Sequence, residues 1–144
     1  MCSPSMVKLP GGAILASMDL FAGGAPQNLT LVFRSDDGGV SWRYLTDLFP
    51  CYWATLFMHQ GRLFMQACST AYGDILIGES TDEGFTWSKP SRLFVGSSSN
   101  RAAGWQRTPM PILHHGGRLY VSVDYGAWSE GGHFVGALSI GEDE

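Results

Sequence analysis

The chain has 144 residues, of which 44% are apolar and 12% aromatic but only 15% charged, so it suits one domain with a real core rather than a disordered tail. A formal charge of −4 with two lysines, Lys8 and Lys89, leaves no basic footprint, which argues against nucleic-acid and anionic-membrane partners. The longest uncharged stretches, Leu20 to Phe33 and Leu48 to Gly61, are broken by Gly, Pro or polar residues and fall short of the ~20 apolar residues of a bilayer helix.

The 19 glycines and 7 prolines interrupt any long helix, and β-branched and aromatic residues fill the segments between them. In chain order the pattern predicts strands over 5–9, 13–19, 29–35 and 41–48, then over 53–58, 62–68, 74–80 and 86–93. A third set is expected over 109–114, 118–124 and 133–140, with no fourth strand. Four antiparallel strands recurring about every 50 residues are the blade of a β-propeller. The expected fold is all-β, one partial propeller domain over 1–144, with blade 1 about 4–48, blade 2 about 52–95 and an incomplete blade 3 about 107–144.

Two segments carry the repeat most clearly, SDDGGVSW at Ser35 to Trp42 and STDEGFTW at Ser80 to Trp87. Each reads Ser-x-Asp-x-Gly-x-Ser/Thr-Trp. Asp37 and Asp82 are suited to accept hydrogen bonds from their own turn, as Asx-type turns do, and Gly39 and Gly84 to take a positive φ. Trp42 and Trp87 are expected to bury their rings between neighbouring blades. These positions read as structural, since side chains occupied within a turn are poor general acids.

With the motif in blade register, the chain resembles the Asp-box, or bacterial neuraminidase repeat, proteins of the sialidase superfamily, and the resemblance covers almost its whole length. It implies a six-bladed propeller of which this chain supplies under half. It also implies an exo-glycosidase of sialidase type acting on acidic sugars, with the sugar bound near the axis on the face opposite the Asp boxes. No Arg-Ile-Pro motif is present and no residue matches the family's acid, base or nucleophile, so those roles stay unassigned. A non-catalytic glycan-binding or protein-interaction propeller is the alternative.

Strand direction places the ligand-face candidates in the loops at 20–27, 49–52, 69–73, 96–107 and 125–132. Aromatic rings cover the apolar side of a sugar and an arginine fork grips a carboxylate, so the candidate substrate-binding residues are Arg107, Trp105, Tyr72, Arg101, Trp128 and Glu130, with Tyr52 and Tyr125 beside them. Asp19, Asp74, Asp124 and Glu130 are the carboxylates near that face. His59, His114 and His115 fall at the opposite end, in hairpin turns, and adjacent strand residues point apart, so no metal and no cofactor is expected.

Cys2, Cys51 and Cys68 are too few and too irregularly spaced for a disulfide framework and are expected as free thiols. The first residues lack the basic start and apolar stretch of an export signal, which makes the cytoplasm the default location. Open blade edges imply a partner: a homodimer resembling one propeller, or a missing remainder of the ring.

Overall fold

The computed structural model describes residues 2–97, 102–127 and, as backbone, 134–141. Among the described residues twelve strands form three antiparallel sheets, and none is helical. The first sheet is β1 (Cys2–Lys8), β2 (Ile14–Asp19), β3 (Thr30–Ser35) and β4 (Arg43–Leu48), paired in that order. The second repeats it with β5 (Tyr52–His59), β6 (Arg62–Cys68), β7 (Ile75–Ser80) and β8 (Ser91–Phe94). In the third, β10 (Leu113–His115) pairs β11 (Arg118–Gly126), which pairs β12 (Phe134–Gly141), while β9 (Gly104–Gln106) pairs the far end of β11. This is the all-β, four-stranded blade repeat expected of a partial propeller.

The departures from the expected strands have local causes. The inner strand of the third blade is not one segment over 109–114 but two short pieces, because Pro109 and Pro111 lie between them and cannot donate to a ladder. Strand β1 starts earlier than expected and passes through Pro4 by way of a register shift between Cys2 and Ser5. The same irregularity recurs in β5 between Tyr52 and Thr55, and Ser3 and Trp53 inside the two shifts share a left-handed φ, 54° and 56°. Strand β8 shrinks to four residues, since Pro90 removes a donor. Just before it, Ser88 caps the end of β7 instead, its N–H donating to the Glu79 carbonyl at 2.8 Å.

Blades 1 and 2 meet in the main core, where Leu15, Val32 and Leu48 pack with Cys51, Ala54, Leu56, Leu63 and Met65. Backbone N–H groups of β5 tie the two sheets through side chains: Trp53 N donates to Asp19 Oδ2 at 3.0 Å and Leu56 N to Ser5 Oγ at 3.0 Å. A second core of Tyr52, Trp53, Cys68, Ala71, Tyr72 and Ile75 lies toward blade 3, with Phe94 and Trp105 against it. Cys2, Cys51 and Cys68 are free thiols.

Candidate functional site

The two motif turns superpose bond for bond. Asp37 Oδ1 accepts from Ser41 N at 2.9 Å and from Ser35 Oγ at 2.7 Å, while its Oδ2 accepts from Ser41 Oγ at 2.6 Å. Asp82 does the same with Thr86 N at 2.8 Å, Ser80 Oγ at 2.9 Å and Thr86 Oγ1 at 2.6 Å. Ser35 and Ser80 oxygens accept from Gly39 N and Gly84 N, each at 2.8 Å, and the Trp42 and Trp87 indoles donate to the Gly39 and Gly84 carbonyls, each at 3.1 Å. The Ser41 and Thr86 donors hold both carboxyls below the usual carboxylate range, so neither is a proton donor near neutral pH.

The turns differ in what covers them. A Cβ on Gly84 would meet Leu15 at 2.7 Å and Leu45 at 3.4 Å, both in blade 1, whereas one on Gly39 would meet only its own Trp42 at 3.8 Å. Around Gly84, Glu83 pairs with Arg34 at 2.9 Å, and the Phe85 ring lies 5.8 Å from both the Arg34 and Arg43 guanidiniums. The expectation that both tryptophans are buried between blades is therefore corrected. Trp87 is half-buried against the inter-blade core, but Trp42 is 41% exposed because its turn faces away from blade 2.

The opposite end of the sheets gathers the loops after β2, β4, β6 and β8. There the segments at 72–73, 96–97 and 104–105 run backbone against backbone: Ser97 N donates to the Tyr72 carbonyl and Trp105 N to the Gly73 carbonyl, each at 3.2 Å. A side-chain carbon at Gly104 would collide with the Tyr72 carbonyl, so only glycine permits this approach. It sets a chain of rings in place, with Trp53 to Tyr72 at 6.2 Å, Phe94 to Trp105 at 4.9 Å and Trp105 to Tyr125 at 5.0 Å.

Among the candidates, Tyr72 is buried, and Trp105 is half-buried with its indole donating to the Val95 carbonyl at 3.1 Å. Tyr125, 37% exposed, is the ring most open to a ligand in this chain of contacts. Arg101, Trp128 and Glu130 lie outside the described residues.

Arg107 is 3% exposed. Its Nη1 donates to Thr55 Oγ1 and its Nη2 to the Met110 carbonyl at 2.7 Å, while Nε has no hydrogen-bond partner among the described residues. Burial pulls its pKa down to about 10, and no ion pair among the described residues includes it. It floors a cavity of about 290 Å³ that Gln106, Thr108, Ser122 and Asp124 also line. Sequence reasoning missed its partner Thr55, because Thr55 reaches it from the neighbouring blade.

The carboxylates sort differently. Asp74 is engaged by Gly96 N at 2.7 Å and Arg92 Nη1 at 3.2 Å, which fixes the loop after β8. Asp19 is fully buried and accepts from Thr30 Oγ1 at 2.6 Å and Trp53 N at 3.0 Å. Burial raises its pKa from 3.8 to about 6 against the lowering effect of the Thr30, Trp53 and Ser3 bonds. Because the folded pKa lies above the unfolded one, its favourable contribution is complete below pH 3.8 and is lost as pH rises through about 6. Asp19→Asn is expected to flatten the fall in thermal stability across that interval, as read by melts in matched buffers, and an unchanged pH profile would contradict this.

At the motif end, His59 and His114 come to 5.7 Å between ring centroids in the two hairpin turns. No cluster of three or more His, Cys, Asp or Glu side chains suited to a metal occurs among the described residues. A larger cavity, about 700 Å³, lies between the outer strands of blades 1 and 2 beside Asp47, Phe49, Trp87 and Arg92. Its lining comes from β4, β6, β7 and β8 and their flanking segments, including Phe49 and Ser69 of the expected ligand-face loops and Asp74.

No family model matches the chain, and no curated protein sequence does either. Solved structures do. An α-L-arabinanase of Penicillium chrysogenum, complexed with arabinobiose, matches over 96% of this chain and 45% of its own with a TM-score of 0.72 and 18% identity. The α-L-arabinofuranosidase Arb93A of Fusarium graminearum, with an iminosugar inhibitor, matches over the same shares with a TM-score of 0.73 and 14% identity. A Bacteroides ovatus xyloglucan-locus GH43B protein matches over 95% of this chain and 26% of its own, with a TM-score of 0.62 and 12% identity. The chain spans less than half the length of these proteins. The fold is thus that of β-propeller glycosidases, and at these identities the likeness concerns the fold.

Proposed function

We propose that this chain is a segment of a carbohydrate-active β-propeller that binds its sugar at the end of the blades opposite the motif turns. The observation that carries this is Arg107, a buried guanidinium with no hydrogen-bond partner at Nε and no ion pair among the described residues, which lines a cavity together with Gln106, Ser122 and Asp124. A buried cation with no ion pair among the described residues, beside a cavity, favours an anionic group, which supports an acidic sugar and the sialidase-type exo-glycosidase reading. The arabinose-active neighbours favour a carbohydrate of some kind and leave the acidic sugar as this reading's own step.

A specific observation favours the non-catalytic alternative of glycan binding. Asp19 is buried and Asp74 is engaged by Gly96 and Arg92, so neither of these two carboxyls is placed to act as a free acid on the described face. Calorimetry with sialic and uronic acids, alongside chromogenic glycosides of acidic sugars and arabinose, separates the readings: release of chromophore means hydrolysis, and binding without turnover means recognition. Arg107→Ala, checked for retained fold, is expected to weaken an acidic sugar by about 1.5–3 kcal/mol while sparing a neutral one. Equal affinity for the acidic sugar in the variant would refute the placement.

A further inference from the structure

The cavity of about 700 Å³ between the outer strands of blades 1 and 2 follows from how the two repeats diverge after their shared tryptophan. In blade 1, Trp42 is followed by Arg43, Tyr44 and Leu45, and β4 pairs with β3 from Arg43 onward. In blade 2 the corresponding residues are Ser88, Lys89 and Pro90, and pairing with β7 begins only at Ser91, opposite Ile77. Proline cannot donate to a ladder, so Ser88 ties this segment to β7 instead. Its N–H donates to the Glu79 carbonyl at 2.8 Å, and its Oγ accepts from Glu79 N at 3.0 Å. The shortened outer strand leaves a gap floored by the buried apolar side chains of Leu48, Met65 and Leu76.

Above that floor the lining is polar and of both signs. Asp47 and Arg92 hold the same position one repeat apart and line the cavity from blade 1 and blade 2, yet no ion pair joins them. Arg92 Nη1 donates to Asp74 Oδ2 at 3.2 Å, and Asp47 Oδ1 accepts from the Tyr44 hydroxyl at 2.6 Å. Lys89, also in the lining, has no ion pair among the described residues. Beside them stands Phe49. Its repeat counterpart Phe94 packs on Trp105 at 4.9 Å, but Phe49 is 69% exposed. An anion placed here would meet Asp47 and Asp74, a cation would meet Lys89 and Arg92, and a purely apolar group would strip water from all four charges. A neutral polyol meets no such conflict, because each hydroxyl donates to a carboxylate and accepts from an ammonium or guanidinium. The apolar C–H side of a sugar ring also suits an exposed phenyl face.

We infer that this inter-blade cavity is a second saccharide site, for a neutral oligosaccharide, with Phe49 against a sugar ring and Asp47, Lys89 and Arg92 hydrogen-bonding its hydroxyls. The choice of a saccharide rests on the carbohydrate-active reading of the fold, and the neutral class rests on the balanced charges of the lining. The cavity falls within the roughly 300–1,000 Å³ of small-molecule sites. It is also larger than the cavity of about 290 Å³ at Arg107, so it has room for more of a glycan chain. Its described lining belongs to blades 1 and 2 alone, so the site does not depend on what covers the outer faces of blades 1 and 3.

Calorimetry and NMR titration with cellotetraose, xylotetraose and mannotetraose test the site. At least one of these neutral chains should bind and shift the backbone resonances of 46–51 and 87–92. Phe49→Ala and Asp47→Ala should each weaken that binding about tenfold, through a lost ring face and a lost charged hydrogen bond, and Lys8→Ala should leave it unchanged. Phe49 and Asp47 are both exposed, so neither change removes core packing. Where a variant does not fold, the shift map of the unaltered chain decides. No binding by any of the neutral chains, shifts confined to 104–107 and 122–125, undiminished affinity in Phe49→Ala, or tighter binding of galacturonic or sialic acid at 46–51 and 87–92 overturns the site. Neutral binding there without any response to an acidic sugar sinks only the Arg107 reading, and an acidic-sugar response alone sinks only this one.

Discussion

Gly84→Ala is expected to cost about 2–4 kcal/mol of stability, and Gly39→Ala about 1–2 kcal/mol, when both are measured by urea unfolding of dilute protein. The two glycines share the left-handed backbone, φ 92° and 97°, so both variants carry the same penalty for placing a side chain there. Only at Gly84 does the new methyl also strike a neighbouring blade, at 2.7 Å from Leu15. Leu15 is fully buried, so it cannot swing aside without repacking the inter-blade core. Equal losses at the two sites would show that the seating of the second turn on blade 1 contributes nothing.

Thr55→Val should destabilise the fold by about 2–3 kcal/mol, because it leaves Nη1 of a buried, charged guanidinium without an acceptor while hardly changing volume. Thr55 is 4% exposed and Arg107 3% exposed, and their contact joins β5 to the third blade. Adding Arg107→Met to Thr55→Val should recover most of the loss, since removing a stranded charge removes its desolvation cost. The coupling is read from a double-mutant cycle, and additive losses would mean that the pair is not energetically linked. The same double variant should lose any response to an acidic sugar, which ties the stability measurement to the proposed ligand.

The blade repeat was legible because it rests on local chemistry. Asp37 and Asp82 find their donors within four residues, so a turn motif repeated at one register announces two hairpins without reference to anything distant. The ligand face was legible only in outline. Strand alternation assigned loops to ends of the blades, and Trp105, Tyr72 and Arg107 do lie at the end opposite the motif turns. Whether each side chain faces a ligand or the core depends on neighbours far away in sequence. The sequence alone places Tyr72 and Arg107 among ligand-facing residues, yet Tyr72 packs against Trp53, and Arg107 turns toward Thr55 from the proline-containing segment between β9 and β10.

The sequence by itself therefore determined the all-β class, the hairpins at Asp37 and Asp82 and the blade register, since each depends on side chains bonding to their own turn or on alternation along one strand. Tertiary structure alone decided which of the two matching turns is covered, which tryptophan is half-buried against the core, and that Asp19 joins two blades. Those outcomes depend on what lies beneath a face. Gly84 meets Leu15 across the inter-blade contact while Gly39 meets only its own Trp42, and the Ser, Asp, Gly and Trp positions that the two motifs share do not distinguish them in that respect.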